Sequence, residues 1–172
     1  MKVILRKITL QDTANIVKWR NSEDVRKSLF TQDDLTEEMH INWFHSKVET
    51  GLCAQYIIEA EDEQGRHDVG TTFIKGIDYV KKNGEFGIFI GEASFRGKHL
   101  ASDATKEMIK IGFEDLKLDT IFLSVFEENI PAICAYKKVG FEVLKDEGLQ
   151  INGKHVILMN ITREQWNKHF PC

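Results

Sequence analysis

A strand, a basic turn, a long helix and a second strand follow one another between Gly84 and Phe126, and that order leaves few folds open. Glu85–Gly91 is an extended run entered through the turn Lys81-Lys82-Asn83-Gly84, where Asn-Gly is a strong hairpin signal. Leu100–Leu116 carries apolar residues at 100, 101, 104, 108, 111 and 112, the period of a helix with one buried face. Thr120–Phe126 is apolar nearly throughout and reads as a strand covered on both faces. Two strands joined through such a helix lie parallel in one sheet, with a right-handed crossover.

Hairpins and short helices surround this unit. Val3–Ile8 alternates as a first strand. Thr9–Trp19 reads as a helix capped by Thr9, with Asp12 in its first turn and Ala14, Ile16, Val17 and Trp19 forming its apolar side. A second helix, Thr36–Val48, sends Ile41, Phe44 and Val48 inward, and Asn21–Leu35 between them is a polar loop with a short helical piece. Ala54–Glu61 and Val69–Ile77 are strands around the turn Glu61–His67; Phe141–Gln150 and His155–Thr162 are closing strands around Asn152-Gly153. These elements predict an α/β (α+β) fold with a mixed, mostly antiparallel sheet flanked by helices. No repeat or Pro/Gly/Ser-rich linker interrupts residues 1–172, which read as a single domain.

Composition removes several function classes. Lys plus Arg number 23 against 27 acids, so nothing favours nucleic acid as a partner. The apolar run in Met1–Lys7 is too short for a signal peptide, and no other segment is long enough to enter a membrane. Cys53, Cys134 and Cys172 are odd in number and lack metal-ligand spacing, which suits a reduced, cytoplasmic protein. Cys134 is expected as a small buried residue on a helix. The six histidines form no His-Glu-x-x-His or Cys/His set, so no metal is expected.

The turn Arg96-Gly97-Lys98-His99-Leu100-Ala101 opens the long helix with free amides, a positive dipole end and two added cations, the chemistry that holds phosphate. Gly97 permits close backbone approach. Taken alone, a helix entry with solvated cations accounts for the turn as well. Gly87 within the preceding strand signals a bulge or a close backbone approach. A strand bulging from its parallel neighbour leaves a wedge of unpaired amides, to which an extended amide-bearing ligand such as pantetheine could add.

These residues resemble the GNAT superfamily of acetyl-CoA-dependent N-acetyltransferases. Its phosphate-loop pattern, Gln/Arg-x-x-Gly-x-Gly/Ala, is met by Arg96 and Ala101, with His99 standing where the middle glycine falls. Its second signature, Asn-x-x-Ala-x-x-x-Tyr-x-x-x-Gly-Phe, is complete in Asn129, Ala132, Tyr136, Gly140 and Phe141. Together the motifs cover about a third of the chain. The resemblance implies the GNAT fold, with a splayed parallel strand pair, acetyl-CoA as cosubstrate, no metal, and a small-molecule amine as acceptor. It implies that Arg96, Gly97, Lys98, His99, Leu100, Ala101 and Ser102 hold the cofactor. Ile88, Phe89 and Ile90 would also line the cofactor, and backbone amides around Phe89 and Ile90 would polarise the thioester carbonyl. Asn129 would bind the pantetheine arm or a water, although capping its own helix explains it equally. Tyr136 takes the position that protonates the departing thiolate, against the plainer reading of a packed aromatic. Glu85 takes that of a water-mediated base, against a solvated strand-end carboxylate; Glu127 and Glu128 are rivals, and some members use no dedicated base. A homodimer is among the assemblies common in the family.

Trp19-Arg20-Asn21, Val25-Arg26, Gln32, His40 and Trp43 together resemble N-acetyltransferases acting on nucleotide-linked amino sugars in the pathways to pseudaminic acid. That likeness would turn Arg20, Arg26 and His40 toward the nucleotide; a solvated helix surface accounts for the same residues. Gly148–Lys154 instead resembles spermidine and ribosomal-protein N-terminal acetyltransferases, and Asp33, Asp34, Glu37 and Glu38 could line a polyamine groove. A polyamine or protein N-terminus is thus the alternative acceptor, and a non-catalytic CoA-binding module the competing class.

Overall fold

The parallel crossover forms the centre of the computed structural model, which describes residues 1–144 and 148–171. The strands are β1 (Lys2–Lys7), β2 (Cys53–Asp62), β3 (Gly65–Asp78), β4 (Asn83–Ile90), β5 (Thr120–Phe126), β6 (Glu142–Val143), β7 (Gln150–Ile151) and β8 (Lys154–Thr162). They form a sheet in the order β1-β2-β3-β4-β5-β8-β6, with β7 folded back on β8. Among the described residues every pairing is antiparallel except β4 with β5. The helices are α1 (Thr13–Asn21), α2 (Glu23–Arg26), α3 (Glu37–Trp43), α4 (Leu100–Glu114), α5 (Ile130–Val139) and α6 (Arg163–His169).

Helices cover both faces of the sheet. On one, α4, α5 and α6 bury Met108, Ile109, Phe113, Ile133 and Trp166 against Ile74, Phe86, Ile121 and Ile161. On the other, Ile16 and Trp19 of α1 pack on Ile8, Ile57 and Phe89. Each large aliphatic or aromatic side chain contributes about 1.5–3 kcal/mol by leaving water, so these layers hold the split sheet together. Arg163 fastens the end of α4: its Nη1 donates to Phe113 O at 2.8 Å, and its Nη2 donates to Leu118 O.

Several elements differ from the sequence expectation, each for a local reason. The expected helix Thr9–Trp19 begins as a 3₁₀ turn, Leu10–Asp12, and becomes α-helical at Thr13. Arg6 grips the Asp12 carboxylate at 3.0 and 3.1 Å, which fixes the helix phase so that Thr13 is buried and Ala14 exposed. The second helix ends at Trp43 and passes into a π turn, Phe44–Val48. Ile41 points outward, and His40 takes the inward place because Thr13 offers its ring a hydrogen bond at 3.0 Å.

Asn83-Gly84 lies within β4 and is not the hairpin turn. The turn is 79–82, where Asp78 Oδ1 accepts from Val80 N at 2.9 Å and Lys81 N at 2.8 Å. The turn expected over Glu61–His67 shrinks to Glu63-Gln64, since Asp62 pairs with Gly65. Phe122 is exposed, so β5 is not covered along its whole length. Of the strand expected over Phe141–Gln150, Glu142–Val143 and Gln150 are extended; residues 145–147 lie outside the described residues. Gly87 sits in regular register opposite Phe73 and forms no bulge; it is a close approach, because a Cβ there would collide with the Phe73 ring.

Candidate active site

β4 and β5 pair only from Asn83↔Thr120 to Glu85↔Phe122, then separate. Past that point β4 keeps its bonds to β3. Gly91 N–H donates to Val69 O at 2.8 Å, and Gly87 O accepts from Thr72 Oγ1 at 3.1 Å. Backbone groups alternate along a strand, so the N–H groups of Ile88 and Ile90 turn into the opening while that of Phe89 turns toward β3. This places two donors, from Ile88 and Ile90, along one wall of the split.

Two chambers meet at the split. One, of about 470 Å³, runs from the turn before α4 between α4 and α5 and is lined by Phe95, Arg96, Gly97, His99–Ser102, Ala132, Cys134 and Lys138. The other, of about 460 Å³, lies against α1, α3 and the segment after α2, with Arg20, His40, Trp43, Gln55, Phe73, Lys75 and Glu85 in its wall. Ser28, Ile88, Phe89, Asn129 and Tyr136 line both. A ligand in each chamber would therefore meet its partner beside Tyr136.

The turn before α4 has the conformation that close approach to an anion requires. Gly97 has φ +74° and His99 φ +63°, both left-handed. His99 thus adopts the geometry usual for glycine, at a cost of about 1 kcal/mol. Ser102 and Asp103 N–H turn back to His99 O, which leaves the amides of Leu100 and Ala101 as the donors facing out of the helix end. Arg96 is no free cation. Its Nε donates to Ile90 O at 3.1 Å, Nη2 to Gly91 O at 3.0 Å and Nη1 to Asp24 Oδ2 at 2.7 Å. Lys98 lies over the Phe95 ring, 4.8 Å from its centroid, and lines neither chamber. The groups this turn leaves open to an anion are amides more than the two basic side chains.

Tyr136 is held between Phe86, edge-on with centroids 5.9 Å apart, and Phe141 at 6.0 Å. Burial pushes its hydroxyl up to about 12, so it carries its proton at neutral pH. Asn129 caps α5, its Oδ1 accepting from Ala132 N–H at 3.4 Å. Glu85 faces the acceptor-side chamber and pairs with Lys75 Nζ at 3.5 Å. The rival acids point elsewhere: Glu127 pairs with His155 at 3.0 Å, Glu128 with Lys154, and neither lines a chamber.

Arg20 and His40 reach the acceptor-side chamber; Arg26 does not. Arg26 Nη2 bonds Asn21 O at 3.2 Å and pairs with Asp34, because the chain turns back there and needs its own carbonyls satisfied. Arg20 donates through Nη2 to Thr31 O at 2.8 Å, leaving Nη1 buried without a protein partner. His40 Nε2 is likewise buried and unpartnered. Burial lowers the His40 pKa, against a smaller opposing pull from Asp12, so the ring is neutral at pH 7. Asp33, Asp34, Glu37 and Glu38 lie outside the chamber. Cys134 is exposed in the groove between α4 and α5, contrary to expectation, since its side of α5 faces the opening; Cys172 lies outside the described residues. Sequence reasoning missed Lys75, Phe73 and Gln55, whose facing follows only from the β2–β3–β4 register.

A parallel pair that parts beside a helix N-terminus, with chambers meeting at a tyrosine, defines an acyltransferase scaffold of the acyl-CoA type. The family model described as an acetyltransferase (GNAT) domain matches residues 2–142, and the chain belongs to that family. It is 29% identical over 140 residues to the acetyltransferase PseH of Campylobacter jejuni, covering 80% of this chain and 81% of PseH. With the spermidine N(1)-acetyltransferase of Escherichia coli K12 it shares 34% identity over 89 residues, 52% of this chain and 45% of that protein. The alignment with MJ1062 of Methanocaldococcus jannaschii, 26% identical, spans 84% of this chain but only 29% of that longer protein. The chain thus spans less than half of two of these relatives. In structure it resembles the Vibrio cholerae spermidine N-acetyltransferase crystallised with CoA and spermine, with a TM-score of 0.84 at 23% identity over 95% and 97% of the two chains. Among the described residues no helix is long and apolar enough to cross a membrane, and no group of three or more His, Cys, Asp or Glu could hold a metal.

Proposed function

We propose that residues 1–172 act as one N-acetyltransferase domain, moving an acetyl group from acetyl-CoA to the primary amine of a nucleotide-linked amino sugar by direct attack in a ternary complex. The observation that carries this reading is the meeting of two chambers at Tyr136, one with amides facing out of a helix end and the other walled by cations and aromatics. The groove fits a pantetheine arm: Ile88 and Ile90 offer strand-like donors, and Leu100 and Ala101 amides offer a seat for pyrophosphate.

Acetyl transfer needs a neutral amine, a stabilised oxyanion and a proton for the leaving thiolate. Ile88 and Ile90 N–H groups face the place where a thioester carbonyl would lie and would stabilise the oxyanion. Tyr136, protonated and desolvated, supplies the proton to the thiolate. Glu85 takes the amine proton through water, with Lys75 Nζ as its ion-pair partner at 3.5 Å.

Charge favours an anionic acceptor. The chamber wall holds Arg20 and Lys75 against one carboxylate, Glu85, and His40 is neutral. A polyamine would bring further positive charge to a wall that Asp33, Asp34, Glu37 and Glu38 do not line. Arg20 Nη1 and His40 Nε2, buried and unpartnered, suit the oxygens of a nucleotide.

Free-thiol release from acetyl-CoA across a panel tests the reading. The panel holds nucleotide-linked 4-amino sugars, spermidine and spermine, and peptides with free N-termini. Preferred turnover of the amino sugars supports it. Preferred turnover of spermidine would install the polyamine reading that the spermidine acetyltransferase relatives suggest. No turnover with CoA still bound would favour a non-catalytic CoA-binding module.

A further inference from the structure

The short helix α2 and the residues after it form a wall shared by the two chambers. Asp24, Val25 and Ser28 line the cofactor groove; Ser28, Leu29, Phe30 and Thr31 line the acceptor side. The acceptor end of this wall is well tied. Thr31 O accepts from Arg20, Phe30 O accepts from Asn152 Nδ2 at 2.8 Å, and the Phe30 ring meets Phe126 edge-on at 4.8 Å. At the other end the tie to the phosphate-type turn is the ion pair Asp24–Arg96 at 2.7 Å. Lys27 Nζ, 4.0 Å from Asp24 Oδ1, is a weaker competitor for the same carboxylate.

Arg96 belongs to the turn that would close on an anion, and it also grips Ile90 O and Gly91 O at the end of β4. Its guanidinium is therefore a bracket joining three things: the strand wall of the split, the turn before α4, and α2. We infer that Asp24 is a positioning residue: through Arg96 it ties the wall of the acceptor chamber to the cofactor turn, so that occupying the turn orders the wall. The inference rests on the cofactor half of the reading above and names how that half reaches the acceptor half. The physical basis is entropic. A turn with two left-handed residues, Gly97 and His99, loses freedom when an anion seats on its amides, and Arg96 hands that order to Asp24. An exposed ion pair contributes little to the unliganded fold, so the effect belongs to the bound state.

Amide hydrogen exchange of a peptide covering residues 27–35, with and without saturating CoA, tests this. In the wild type CoA slows exchange of that segment about fivefold or more, the low end of ordinary site-to-site coupling. Asp24→Asn loses the CoA-dependent slowing at full occupancy, and Asp24→Glu, which keeps the charge, restores it. A merely structural role would speed exchange equally in both states and leave the ratio unchanged, which would overturn the inference. CoA binding with no change in 27–35 of the wild type would overturn it as well, leaving the acetyltransferase reading standing. Failure of the wild type to bind CoA by calorimetry would bring down both.

Discussion

The tip of the Phe73 ring reaches over Gly87 on the adjacent strand, occupying the space that any side chain at 87 would need. Phe73, Lys75 and Glu85 line the acceptor-side chamber beside that contact. Gly87→Ala should push the Phe73 ring into the chamber. With the best amine of the panel, the acceptor KM should rise about tenfold or more while that for acetyl-CoA changes little. Steady-state kinetics with each substrate varied in turn would check this; equal effects on both would remove Phe73 from the acceptor wall.

Tyr136→Phe keeps the ring between Phe86 and Phe141 but removes the proton. Turnover should fall about a hundredfold or more, with CoA affinity nearly unchanged by calorimetry. Because burial holds the hydroxyl near 12, the wild-type rate should show no alkaline limb from Tyr136 until well above neutral pH.

His99 occupies a left-handed position that glycine would take without strain. His99→Gly should raise stability by about 0.5 kcal/mol, the relieved strain being partly offset by glycine's greater freedom when unfolded. His99→Val should lower it by about 1 kcal/mol or more, since a branched Cβ fits that region worst. Urea unfolding of the two variants decides it by the sign of each change.

Alkali should weaken the fold. Burial pushes the Cys53 thiol up to about 12 from an ordinary value of 9.0, and the Tyr136 hydroxyl to about 12 from 10.0. Above pH 9 the unfolded chain therefore releases protons that the folded chain retains. Stability is full below that pH and falls as pH rises, by about 1.4 kcal/mol per pH unit for each titrating group. Cys53→Ala should remove the earlier part of the fall, a difference visible in urea midpoints measured from about pH 8 to about pH 11.

Arg6 holds three carboxylates: Asp12, Glu59 and Asp68 at 3.0 to 3.1 Å. Arg6→Met should cost about 3 kcal/mol at neutral pH, because the nearly buried Asp12 would lose its countercharge and the nearly buried Glu59 would keep only Arg66, at 3.7 Å. Burial raises the Asp12 pKa, but the bonds from Arg6 and Thr9 outweigh it and leave the carboxyl low. That part of the stability is present above the ordinary carboxylate range and disappears as acid protonates Asp12. The gap between wild type and variant should therefore narrow in acid, as thermal unfolding at several pH values would reveal.

What could be read from the sequence was what depends on neighbours along the chain. The crossover of β4, α4 and β5 follows from the helical period of α4 and the extended runs beside it, and the amide-bearing turn from Gly97 and the helix start, though not the left-handed conformation of His99. Contacts set by distant segments were not legible. Nothing local says that Arg26 turns back to Asn21 and Asp34, or that Thr13 would draw His40 inward and leave Ile41 outside. Lys75 meets Glu85 only because β3 and β4 pair in that register. Asn83-Gly84 misled because Asp78 already satisfies the turn amides with its side chain, allowing the chain to re-enter the sheet at Asn83. In the site, the motif from Asn129 to Tyr136 was legible as a unit, whereas the acceptor wall depends on the path of 22–35 across the sheet.

The separation of β4 from β5 leaves an unfinished seam through the middle of the sheet, where most proteins would have only closed ladders. A ligand that lies in the seam as a surrogate strand is then masonry as well as reagent. Its departure after each cycle reopens the molecule at its centre, so the resistance of this protein to unfolding and proteolysis should follow the supply of that ligand, rising with the logarithm of its concentration once the seam begins to fill.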